Sequence, residues 1–245
     1  MSKKWIFLDF DNTLMATEQY TLPSLIARFN ELYAHLLSSP LTYDLFKKHF
    51  HGQARENLCK NLSEHFGITV DYPTLFDGRE WRMMEHLQAL PNGVEMAPYL
   101  IETLTLLSEQ EYHFALVTNN PIQRALTSMR FAQNKQGDAL ARLMGTHFFE
   151  AGEIQKPKPD VYLRAMAQVN AKPSLSFAVE DSISGTQSAV SAGLTTFGYI
   201  GFSDNPEETK ANLLNAGCVA VFKDWKEFPA LLQQALQLKT HQELF

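Results

Sequence analysis

A chain of 245 residues that is 45% hydrophobic and 20% charged has the make-up of an ordinary globular protein, long enough for one large core or two modest ones. Its net charge of −6 disfavours a nucleic-acid partner, so any phosphate it handles must be drawn in by local groups rather than by the overall field. Its apolar runs are strand-sized, which argues against a membrane span, and Met1-Ser2-Lys3-Lys4 leads into an acid-containing segment rather than a cleavable signal. Cys59 and Cys218, far apart in the chain, read as reduced thiols of a cytoplasmic protein.

The first element is Trp5-Ile6-Phe7-Leu8, large apolar residues without alternation, which predicts a strand buried on both faces as in a parallel sheet. Asp9 falls at the carboxyl end of that strand and Asp11 on the following loop, where ligands of open parallel sheets bind. One carboxylate in that position can act as a nucleophile while its neighbour gives and takes a proton, and the two together make half of a magnesium site. As isolated residues they are also ordinary turn formers.

From Thr21 to Leu90 the texture changes to apolar residues spaced at three and four: Leu25, Ile26, Phe29, Leu32, Tyr33 and Leu36, then Leu58, Leu62 and Phe66. Buried-strand runs are missing from this stretch, which predicts an all-helical insertion. Within it, His51-Gly52-Gln53-Ala54-Arg55-Glu56 opens a helix after a glycine, with Arg55 placed either to reach an anionic or hydroxylated substrate or simply to sit in solvent. Leu90-Pro91-Asn92-Gly93-Val94 marks the return, ahead of a helix around Tyr99 to Leu107.

Three later segments repeat the pattern of strand followed by polar group. His113 to Val117 is apolar and ends in Thr118, Asn119, Asn120 and Pro121, a hydroxyl and two amides before a proline suited to a first helical turn. A hydroxyl with the free amides of a helix start can cradle phosphate, or can merely cap the helix. Gln155-Lys156-Pro157-Lys158-Pro159-Asp160 is a stiff loop whose lysine can neutralise phosphate charge, followed by Val161, Leu163, Ala165 and Met166 as the apolar pattern of a helix. Leu175 to Val179 is another buried-type strand, ending in Glu180 and Asp181, with a capped helix expected from Ser184. Thr195 to Ile200 and Cys218 to Phe222 are further strands, Trp225 to Leu238 is an amphipathic helix, and the tail from Lys239 is expected to be loosely held.

Taken together, these residues resemble the haloacid dehalogenase superfamily, mostly magnesium-dependent phosphatases and phosphotransferases with an aspartate nucleophile. Its Asp-x-Asp-x-Thr motif matches Asp9, Asp11 and Thr13; its strand ending in Thr or Ser matches Thr118 with Asn119; its lysine motif matches Lys156 to Asp160; its acidic motif matches Glu180-Asp181-Ser182, with Gly185 shortly after. Asn12 stands where many relatives carry glycine, and asparagine also tolerates a left-handed backbone. The Arg55 segment is similar to the specificity loop of the phosphoglycolate-phosphatase-like and beta-phosphoglucomutase-like branch.

The resemblance implies a doubly wound, Rossmann-like α/β core at 1–15 and 93–245, with a helical cap at 16–92. It implies Asp9 as nucleophile and Asp11 as acid and base. Thr118, Asn119 and Lys156 would hold the phosphoryl oxygens. Magnesium would be bound by Asp9, Asp181 and the backbone carbonyl of Asp11, with Glu180 adjacent. The expected reaction is hydrolysis of a small phosphorylated metabolite. A sugar-phosphate mutase is the nearest alternative, but such enzymes carry a histidine where Thr21 stands; a true haloacid dehalogenase lacks the second aspartate.

Overall fold

The computed structural model describes residues 3–50 and 55–242, with the side chains of 55, 56 and 239–242 left aside. The chain divides into two compact units, Met1–Thr17 with Asn92–Phe245, and Glu18–Pro91.

The first unit is built on a sheet of six parallel strands: β1 (Lys4–Leu8), β2 (Tyr112–Thr118), β3 (Phe148–Glu150), β4 (Ser176–Glu180), β5 (Thr195–Tyr199) and β6 (Ala220–Phe222). Their spatial order is β3-β2-β1-β4-β5-β6. The chain winds outward from β1 in both directions, so the order reverses beside β1, and that is where a doubly wound sheet offers a crevice for ligand. The unalternating run of β1 is explained directly: Ile6, Phe7 and Leu8 are all fully buried because helices cover both sheet faces. On one face Phe7, Ala115, Ala178, Val161 and Tyr162 share a core.

The helices of this unit are α6 (Leu100–Glu109), α7 (Ile122–Arg130), α8 (Gly137–Met144), α9 (Asp160–Gln168), α10 (Ile183–Ser191), α11 (Pro206–Ala216) and α12 (Phe228–Gln242). The strand β3 has no counterpart in the sequence reading, because three residues, Phe-Phe-Glu, are too few to carry a pattern. Pro121 caps α7 from outside its first turn, and the exposed first amide, that of Ile122, donates instead to the Glu150 carboxylate at 2.7 Å. Ser182, two residues before the expected helix start at Ser184, caps α10, which begins at Ile183, by accepting from the Gly185 amide. In α9 the buried stripe is Val161, Tyr162, Ala165 and Met166, while Leu163 is exposed; the helical period favours the tyrosine over the leucine. The helix α12 continues to Gln242, so the first part of the expected loose tail is helical, and residues 243–245 lie outside the described ones.

The second unit is all helical among the described residues: α1 (Glu18–Tyr33), α2 (Tyr43–His49), α3 (Arg55–Phe66), α4 (Tyr72–Phe76) and α5 (Arg79–Gln88). Phe29, Phe46, Leu62 and Leu75 meet in its core. The α1 period stops at Tyr33, after which a 3-10 turn leaves Leu36 exposed rather than in the expected stripe. Residues 51–54 and the side chain of Arg55, where the specificity reading falls, lie outside the described residues; the Arg55 backbone opens α3. Cys59 and Cys218 are both buried free thiols. No described helix is long and apolar enough to cross a membrane.

Candidate active site

The chain leaves β1 into a tightly wound turn. The Phe10 carbonyl accepts from the amides of Thr13, Leu14 and Met15, and Asn12 adopts φ 57°, the left-handed conformation asparagine tolerates. The turn leaves Asp9 anchored on β4, its amide donating to the Val179 carbonyl at 3.1 Å, and brings the Thr13 hydroxyl back to donate to Asp9 Oδ2 at 3.0 Å. Asp9 is almost wholly buried.

Facing it is Lys156, also buried, with its ammonium donating in three directions: to Asp9 Oδ1 at 2.8 Å, to the Val117 carbonyl at 2.9 Å and to Glu180 Oε1 at 2.7 Å. An ammonium has three donors, and here all are spent, so its position is fixed by the ends of β1, β2 and β4 together. The Asn119 side-chain oxygen accepts from the Lys156 amide at 2.9 Å, tying the loop after β2 to the lysine loop. Below the ammonium lies the ring of Tyr162, 5.2 Å from it, and the Tyr162 hydroxyl donates to Glu180 Oε1.

Burial pushes the Asp9 carboxyl up, against the pull of Lys156, and the neighbouring charge of Asp11 raises it further. Glu180 is likewise raised by burial, to about 7, with Lys156 opposing and Asp9 adding to the rise. Burial works to neutralise Lys156, but the charges of Asp9 and Glu180 outweigh it and hold the lysine protonated.

Asp11 points elsewhere. The Thr17 hydroxyl donates to its Oδ1, and the Asn120 side-chain amide donates to its Oδ2 at 2.7 Å. Asn120 itself is turned by its own amide donating to Thr118 Oγ1 at 3.0 Å. The second aspartate is thus held by two neutral donors, apart from the lysine that neutralises the first.

Carboxylate oxygens of Asp9, Glu180 and Asp181 lie within 4.8 Å of one another. One ammonium offsets only part of that charge, and Glu180 Oε2 is buried without a hydrogen-bond partner. A hard divalent cation, which takes oxygen ligands and compensates clustered carboxylates, fits this donor set. Glu180 Oε2 rests against Gly185: a Cβ there would sit 1.8 Å from it. Gly185→Ala should therefore force Glu180 aside, costing about 1–3 kcal/mol as overpacking does. Thermal melting reads the loss, and unchanged stability and activity would mean that Glu180 is free to move.

Of the residues singled out in the sequence, Asp9, Lys156, Glu180 and Asp181 converge, and Thr118 and Asn119 organise the neighbouring loop. Thr17 and Tyr162 were not expected at the site, and Asn120 was read only as one of two amides ahead of a helix start, not as a partner of Asp11. Only Tyr162 left a signal, falling on the buried stripe of α9 beside the lysine motif, where a phenol hydroxyl demands a partner.

The sequence profile of the haloacid dehalogenase-like hydrolases matches residues 6–199. A protein of Thermotoga maritima named phosphorylated carbohydrates phosphatase is 27% identical over 219 residues, which is 89% of this chain and 93% of that one. Among solved structures, a haloacid dehalogenase-like protein of unknown function from Agrobacterium tumefaciens aligns with a TM-score of 0.73 at 20% identity, covering 96% of this chain and 99% of that one. A haloacid dehalogenase family hydrolase from Deinococcus radiodurans, with bound phosphate and sodium, aligns at 0.70 and 23% identity over 95% and 96% of the two chains. The structural likenesses speak for the fold, and the profile, running from β1 through β5 across every residue of the carboxylate and lysine cluster, decides the family: the chain belongs to the haloacid dehalogenase-like hydrolases.

Proposed function

We propose that this hydrolase is a magnesium-dependent phosphatase that acts on a small phosphorylated metabolite, of the phosphorylated-carbohydrate kind, through an aspartyl-phosphate on Asp9. The observation that carries the reading is Asp9 itself, a buried carboxylate at the switch point of the sheet, gripped by Thr13 and Lys156. The relative named phosphorylated carbohydrates phosphatase supports the substrate class.

In this reading Asp9 attacks phosphorus in line and the leaving oxygen departs with a proton from Asp11. Asp11 then takes a proton from the water that cleaves the acyl phosphate. Thr17 and Asn120 orient Asp11 for both transfers. Thr118 and the Asn119 backbone hold the phosphoryl oxygens, and Lys156 joins them by turning one of its three engaged donors to a phosphoryl oxygen, since this transition state is stabilised chiefly by position and charge. Asp9, Asp181 and the Asp11 carbonyl would hold the magnesium ion, which when bound offsets negative charge on the transferring group. Glu180 serves the lysine, locked between its ammonium and the Tyr162 hydroxyl.

The helical unit is assigned the part of a cap, with Arg55 contributing to substrate choice. Thr21 stands at the position of the mutase histidine, and its hydroxyl donates to the Glu18 carbonyl at 3.2 Å; a threonine there lacks the imidazole's proton-transfer capacity, which supports hydrolysis over phosphoryl transfer between sugar hydroxyls. The expected result is hydrolysis of an aryl phosphate with magnesium and loss of that activity in excess chelator. Full activity in chelator would overturn the metal assignment, and no release of phosphate from any phosphomonoester in a metabolite panel would overturn the reaction.

A further inference from the structure

Asn92 and Gly93 stand in the turn after α5, where the chain returns to the unit built on the sheet. Of the chain's asparagines only Asn92 is followed by glycine; every other precedes a residue with a side chain. The difference is chemical. The amide nitrogen of the next residue can attack an asparagine's own carboxamide carbon, and a Cβ on that residue obstructs the approach, whereas glycine leaves it open. Both reacting groups are accessible: Asn92 is exposed, and among the described residues neither its carboxamide nor the Gly93 amide has a hydrogen-bond partner.

Packing explains why a glycine stands there. Gly93 has φ +73°, and a Cβ on it would lie 2.3 Å from the Phe131 carbonyl oxygen in the turn after α7. From that close approach onward the chain is laced into the unit. The Val94 amide donates to the Phe131 carbonyl, and the Val94 carbonyl accepts from the Gln133 amide, each at 2.8 Å. The Glu95 carbonyl accepts from the Ala16 amide and the Ala97 amide donates to the Leu14 carbonyl, each at 2.9 Å, so that Met15 pairs with Met96. The Met15 carbonyl in turn accepts from the Asn12 amide at 2.8 Å, inside the turn that carries Asp11. Residues 94–97 thus back the catalytic turn, and Met15, Val94 and Met96 are all buried there.

We propose that Asn92 is a site of spontaneous covalent modification, converting to isoaspartate in the folded protein, and that the product loosens the catalytic turn. The Gly93 nitrogen gives its proton to hydroxide and bonds to Asn92 Cγ; the bond from Cγ to Nδ2 breaks, and the amine leaves as ammonia with a proton from water. Water then opens the resulting succinimide. Opening at Cγ gives aspartate, and opening at the main-chain carbonyl gives isoaspartate, in which the backbone runs through the side chain and is longer by a methylene. Nothing is oxidised or reduced. A close-packed segment has no slack for that methylene, so the strain passes into the bonds of 94–97 and from them to Met15.

The purified full chain, kept in warm alkaline buffer, digested and mapped by mass, tests the proposal without turnover and independently of the hydrolysis reading. The peptide holding Asn92 should gain the mass difference between OH and NH2 before any other asparagine peptide does, and enzymatic methylation of isoaspartyl groups should label most of the product. Asn92→Gln should remain unmodified, because the longer side chain closes its ring far more slowly. Hydrogen–deuterium exchange over 12–16 and 94–97 should be faster in the aged chain than in the fresh one. Freshly prepared Asn92→Asp, which adds the charge without the methylene, should exchange like the fresh protein. An Asn92 that stays intact while other asparagines convert, isoaspartate at 92 with unchanged exchange over 12–16, or equally fast exchange in Asn92→Asp would overturn the proposal.

Discussion

Replacing Asp9 with asparagine should remove turnover, by roughly 10⁴- to 10⁶-fold as expected when a nucleophile is lost, with no large change in fold. Asparagine has the shape of aspartate but no charge to attack phosphorus, and it lowers the repulsion inside a buried cluster that already holds Glu180 and Asp181. Asp11→Asn should behave differently. It removes a proton donor and acceptor worth about 10² to 10⁴ in rate, so an aryl phosphate with a good leaving group should still phosphorylate Asp9, and hydrolysis of the intermediate should become limiting. Pre-steady-state phosphate and phenol release separate the two steps. Equal and normal turnover in either variant would contradict the division of labour.

Lys156→Ala should cost both activity and stability. Its ammonium is the cation that binds Asp9 and Glu180 directly, and all three groups are buried. Breaking a buried ion pair from one side leaves charge uncompensated, at about 3–5 kcal/mol. Loss of a positioned donor to the phosphoryl oxygens should lower kcat/KM a further ~10²- to 10³-fold.

The stability loss should depend on pH in a defined direction. Lys156 holds the Glu180 carboxyl down, and even so burial leaves it at about 7 against 4.5 for the free side chain. A carboxyl raised in the folded state takes up its proton there before it does so in the unfolded chain, so folding gains as pH falls from about 7 toward 4.5. Without the lysine the folded value rises further. In metal-free protein, the deficit of Lys156→Ala should therefore be smaller at pH 6 than at pH 8, read by denaturant unfolding at each pH. A deficit that grows on acidification would place the lysine's role elsewhere.

What the sequence made legible was what local pattern records. The run Trp5 to Leu8 marked a doubly covered strand because every position is buried, and the acids after β1 and β4 followed from where those strands end. The short strand β3 was lost because Phe148–Glu150 contains no period to detect. Leu36 and Leu163 were assigned to apolar stripes from spacing alone; the first falls past the end of α1 and the second on the outer side of α9.

The grip on Asp11 was illegible for another reason. Asn120 lies 109 residues from it, and a contact made only by the sheet order leaves no trace in nearby residues.

The most direct test of the account is capture of the intermediate. Acid quenching of the enzyme during turnover of radiolabelled phosphomonoester, followed by peptide mapping, should place an acid-stable, hydroxylamine-labile phosphoryl group on Asp9. The amount should increase in Asp11→Asn and vanish in Asp9→Asn. Label on another residue, or an active enzyme that never carries label, would contradict the assignment of Asp9 as the nucleophile.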